Sequence, residues 1–141
     1  MNIKVKKLDA NAYLPRYMSL GAAGMDLASV ENLTLLAGQR ALVSTGLAFE
    51  LPAGIEIQIR PRSGLAIKHG ITVLNAPGTI DSDYRGLVKI VLYNTSHVSF
   101  VIKIGDRIAQ AVFSKYEVAE LVEGELNETE RGSGGFGSTN V

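Results

Sequence analysis

Ile55, Ile57 and Ile59 alternate with Glu56, Gln58 and Arg60, a period of two that sets one face of a strand on a core. Leu51-Pro52-Ala53-Gly54 precedes this run with turn chemistry, a Pro of preset φ followed by a permissive Gly. Residues 40–49 are therefore expected to be its hairpin partner. Residues 87–93 are apolar on both faces and predict a strand covered on both sides. Further strands are expected over 98–102 and 108–118, separated by Lys103-Ile104-Gly105-Asp106. Only 63–69 has helical character, for about two turns, with Gly70 as its stop. No long amphipathic helix is present, so βαβ architectures are excluded. An all-β sandwich, jelly roll or distorted barrel remains. The pattern changes at the end: Asn127-Glu128-Thr129-Glu130-Arg131 leads into a glycine run that cannot pack a core. The expectation is a β body over 1–126 and a mobile arm over 127–141.

At 141 residues the chain suits one folding unit. Acidic and basic residues balance at 14 each, which argues against nucleic-acid tracts, usually bound through basic surfaces. The absence of cysteine excludes thiol catalysis and thiolate metal sites, and fits a reducing compartment. No apolar run approaches the ~18 residues of a membrane span, and no signal-peptide core follows the basic N-terminus. A cytoplasmic protein is expected, with neither nucleic acid nor membrane as partner.

Three familiar signals lack their context. Gly132, Gly134 and Gly137 match a dinucleotide fingerprint, but no helix can follow them. Residues 81–86 begin like a calcium loop, yet Arg85 occupies a ligand position and Leu92 stands where the bidentate Glu belongs. His69 and His97 lie far apart and read as surface or turn residues.

Five polar, glycine-linked clusters interrupt the β pattern: 22–27, 60–66, 75–86, 105–110 and 131–139. Their order, composition and spacing resemble the trimeric dUTPase family over about residues 21–139. The resemblance implies a jelly-roll-like distorted barrel with one short helix. It also implies a homotrimer with shared active sites, in which the tail closes over a neighbour's site. The activity implied is hydrolysis of dUTP to dUMP and pyrophosphate, which limits uracil in DNA and supplies dUMP for thymidylate synthesis.

The residues suit that chemistry. A triphosphate demands positioning and charge neutralisation. The resemblance assigns this to Arg62, Ser63 and Gly64 at the helix start, with Gln110, while Arg107 organises the neighbourhood; taken alone, Ser63 reads as an N-cap. It makes Asp81 the carboxylate that activates the attacking water, and leaves Asp83 as a turn residue. Asp26 would contact Mg2+ through ordered water, as suits an ion that dehydrates reluctantly. Asn75, with main-chain groups of Thr79, Ile80 and Lys89 in a β-hairpin, would read the uracil edge. Tyr84 would pack under the deoxyribose and exclude a 2′-hydroxyl. Arg131 would meet the terminal phosphate and Phe136 stack on the base, while Gly137, Ser138 and Thr139 wrap the phosphates as a lid. A dCTP deaminase of related fold and a non-catalytic nucleotide sensor are the alternatives. The closing glycine motif and the setting of Asp81 favour the hydrolase.

Overall fold

The isoleucine alternation does form a strand, and it lies within the principal sheet. In the computed structural model, which describes residues 1–137, β1 is Lys4–Lys7, β2 Met25–Ala28, β3 Leu33–Leu35, β4 Arg40–Ser44 and β5 Leu47–Glu50. Next come β6 Ile55–Arg60, the helix α1 Ser63–His69, β7 Ile71–Val73 and β8 Gly78–Ile80. The last strands are β9 Lys89–Asn94, β10 Phe100–Ile102 and β11 Arg107–Lys115. The helix begins and ends where its sequence predicts: Gly70, at φ 66°, donates its N–H to the carbonyls of Ala66 and Leu65 and stops it.

The strands form a four-stranded sheet ordered β2-β11-β6-β8, a three-stranded sheet β4-β9-β7, and the pairs β1-β5 and β10-β3. All pairings are antiparallel. The fold is all-β and jelly-roll-like, and its ladders do not join into one closed ring. Among the described residues no strand pairs with its neighbour in sequence. The expected hairpin between 40–49 and 55–60 is therefore absent. Residues 40–49 split into β4, which pairs with β9, and β5, which pairs with β1. The Pro52–Gly54 turn reverses the chain but carries it from one sheet to another.

The core comes from inward positions of both larger sheets, including Leu27, Val43, Ile57, Ile90, Leu92 and Ile108. β9 departs from the reading of 87–93. Ile90, Leu92 and Asn94 are buried, Lys89 is exposed, and Val91 and Tyr93 are only partly covered, so one of its faces stays open in the single chain. Asn94, fully buried, donates Nδ2 to the carbonyls of Leu35 (3.1 Å) and Val98 (2.8 Å), and its Oδ1 accepts from Ser96 N and Oγ. One amide thus ties β9 to β3 and to the turn before β10. At the rim, Lys4 Nζ meets Glu50 Oε1 at 2.9 Å. That hydrogen bond and the lysine's charge hold the Glu50 carboxyl below its ordinary value, but an exposed pair of this kind contributes little stability. Regular structure ends at Lys115, short of the expected 118. Beyond it Val118, Leu121, Val122 and Leu126 are almost wholly exposed.

Candidate active site

The loop after β8 is built to present two side chains. A turn closes from Tyr84 N to Asp81 O (3.2 Å), and Arg85 Nη1 clamps it by donating to the carbonyls of Ser82 (2.7 Å) and Tyr84 (3.1 Å). Tyr84 donates its hydroxyl to Leu87 O at 3.1 Å, and its ring lies so close to Gly86 that a Cβ there would strike it. Ser82 Oγ and Tyr116 Oη are 2.9 Å apart, linking the loop to the residue just beyond β11. The result is an open cavity of about 660 Å³ lined by Thr79, Ile80, Asp81, Tyr84 and Lys89, together with Leu42, Leu87 and Val88. The last three carry no chemical signature that sequence reading could have used. β8 pairs with β6 and β9 with β4 and β7, so strands of two different sheets frame this cavity, and the expected uracil hairpin is corrected to that arrangement. Asn75 is exposed and outside the cavity lining. Its Nδ2 lies 3.3 Å from where a Cβ on Gly78 would sit.

A second cluster gathers on the other edge of the same sheet. Asp26 on β2 accepts from Arg62 Nε (3.1 Å) through one oxygen and from Arg107 Nη1 (3.0 Å) through the other. Arg62 Nη1 also donates to Arg107 O at 2.8 Å. Gln110 stands opposite Asp26 and Arg60 in the ladder and donates Nε2 to Pro61 O at 2.9 Å. Arg62, not Ser63, is the N-cap, and no side chain caps the helix there. Ser63 and Gly64 are exposed at a helix start whose first N–H groups have no intrahelical partner.

One chain does not bring the two clusters together. Asp26 shares a row with Arg60, whereas Asp81 follows Ile80, the partner of Ile57, three strands across. Along the sheet this diagonal is on the order of 20 Å, at about 4.8 Å per strand and 3.4 Å per residue. The described part of the tail stands apart from both clusters: Arg131 turns back on itself, Nε to Gly134 O at 2.8 Å, and Phe136 is fully exposed. Gly137 is exposed beside it. Ser138 and Thr139 lie outside the described residues.

Among the described residues no three His, Cys, Asp or Glu side chains are placed to hold a metal ion. Each oxygen of Asp26 already takes a guanidinium, but a carboxylate keeps further lone pairs that can accept from a metal-bound water. The donor set thus fits magnesium carried in on phosphates and does not fit a protein cage. The histidines play no part in either cluster, and His69 packs on Phe100 with ring centroids 5.0 Å apart.

The scaffold is jelly-roll-like, with a carboxylate beside an open cavity and two arginines paired on Asp26 at another corner. The dUTPase family profile matches residues 10–140. The deoxyuridine 5'-triphosphate nucleotidohydrolase of Wolinella succinogenes is 61% identical over 140 residues, covering 99% of this chain and 94% of that one. The enzyme of the same name from Nautilia profundicola is 58% identical with 99% of each covered. The solved dUTPase of Staphylococcus bacteriophage 80alpha with dUPNHPP superposes at a TM-score of 0.92, with 28% identity over 99% of both chains. The chain belongs to the dUTPase family.

Proposed function

We infer that this chain hydrolyses dUTP to dUMP and pyrophosphate, removing a precursor of uracil in DNA and supplying dUMP. Its family membership supports the reaction, and the observation that carries the residue assignment is the cavity shared by Asp81 and Tyr84. In this reading Asp81 takes a proton from water as its oxygen attacks the α-phosphorus. The bridging P–O bond breaks, and pyrophosphate leaves with the electron pair. Tyr84, fixed by Leu87 O and by bare Gly86, forms the floor for deoxyribose and leaves no room for a 2′-hydroxyl. Main-chain groups of Thr79, Ile80 and Lys89, with Asn75, read uracil. Arg62, Ser63, Gly64 and Gln110 hold the phosphates.

Magnesium, when bound with the nucleotide, neutralises phosphate charge, and Asp26 reaches its water shell. The separation of the two clusters within one chain supports sites completed across subunits, and the family resemblance makes that assembly a homotrimer. The arm 127–141 would close over a neighbour's site, Arg131 on the terminal phosphate, Phe136 on the base, and Gly137, Ser138 and Thr139 around the phosphates. A cytoplasmic location agrees with this substrate, and no described helix is long and apolar enough to cross a membrane.

A pyrophosphate-release assay across the nucleoside triphosphates tests the reading. dUTP should be turned over, with UTP, dCTP and dTTP poor, and Asp81→Asn should lower kcat by about 10²–10⁴ with dUTP still bound. Ammonia released from dCTP, or no turnover of dUTP, would reject it.

A further inference from the structure

We propose that Asp26 is a positioning residue for the phosphates: its carboxylate fixes Arg62 and Arg107 as one cradle, and this action requires no metal. The proposal rests on reading Arg62 as part of the phosphate site, and it extends that site to Arg107. They arrive from separate segments, Arg62 at the helix N-cap and Arg107 at the first position of β11. Two guanidiniums repel when held side by side, and long side chains lose rotamer freedom when ordered. A single carboxylate between them answers both difficulties. The Asp26 side chain is 19% exposed, against 26% for Arg62 and 49% for Arg107, so the anion is the best anchored of the three.

The backbone is shaped for this contact. A register shift between Arg107 and Ala109 interrupts the ladder with β2. In a regular strand residues three apart face opposite ways, and an extra residue restores them to one side. Gln110 and Arg107 can therefore both serve Asp26's row. The neighbouring Asp106 does not compete, because its Oδ2 accepts from Lys103 N at 2.9 Å in its own turn. Each guanidinium has five donors, and the bonds to Asp26 and to Arg107 O leave most of them free, among the described residues, to meet a polyanion.

A carboxylate acting only through the metal's water shell would have no effect when the metal is removed. Calorimetric titration of the full chain with inorganic tripolyphosphate in EDTA separates the two roles. Asp26→Asn should weaken binding about tenfold, the scale of a lost charge-assisted contact. In an Arg107→Gln background the same change should add little, because its effect travels through the arginines. Asp26→Ser is the second variant, with the same expected loss, should the Asn protein not fold. Unchanged tripolyphosphate affinity in a folded variant, with a defect only when magnesium is added, would overturn the proposal. Failure of the unaltered chain to bind tripolyphosphate would overturn the cradle itself, while dUTP hydrolysis would still be read independently by pyrophosphate release.

Discussion

Tyr84 owes its position to a residue with no side chain. A Cβ on Gly86 would occupy the place of the Tyr84 ring, so Gly86→Ala must push the phenol away from Leu87 O and open the sugar floor. The expected outcome is a loss of discrimination: the ratio of kcat/KM for dUTP over UTP should fall at least about tenfold while the melting temperature changes little. Equal discrimination in the variant would separate Tyr84 from sugar choice. At this scale the sequence was informative about chemistry and silent about partners. Asp81, Tyr84, Thr79, Ile80 and Lys89 were named from the family resemblance and do line one cavity. The double engagement of Asp26 was not foreseen, because residues 26, 62 and 107 are related only by the folded ladder. Tyr116, bonded to Ser82, had no local signal either, since a lone tyrosine after a strand is ordinary.

Element identities were legible wherever a period or a stop residue specified them. β6 follows its isoleucines, and α1 ends at Gly70. Element partners were not, because turn chemistry reports that a chain reverses and says nothing of which sheet receives it. Among the described residues no strand pairs with the next one in sequence, so the local rule that joins a turn to a hairpin has no instance to describe. Such a fold must fasten its layers with specific long-range contacts, and Asn94 is one. Asn94→Ala removes a buried amide that bonds the Leu35 carbonyl in the core and the Val98 carbonyl and two Ser96 groups nearer the surface. Urea unfolding should show a loss of roughly 1–3 kcal/mol, more than truncation of an exposed side chain, because the Leu35 carbonyl loses its buried side-chain donor. A loss within about 0.5 kcal/mol, the range of ordinary surface changes, would show that water replaces the amide freely.

For the whole molecule, the proposed reaction requires two distant corners of one sheet to meet. A symmetric assembly that sets the Asp81 corner of one copy against the Asp26 corner of the next would bring this about. Light scattering should then give a mass about three times 15.1 kDa. Mixing inactive Asp81→Asn and Arg62→Ala chains after reversible dissociation should restore about a quarter of the sites, those drawing an intact residue from each parent. No recovery would place both groups in sites made by a single chain. The strand order bears on synthesis as well. β11 is the last strand formed and yet lies between β2 and β6, so those two have no common neighbour until residues 107–115 are made. A nascent chain therefore cannot join β2 and β6 into this sheet until residues 107–115 have emerged from the ribosome.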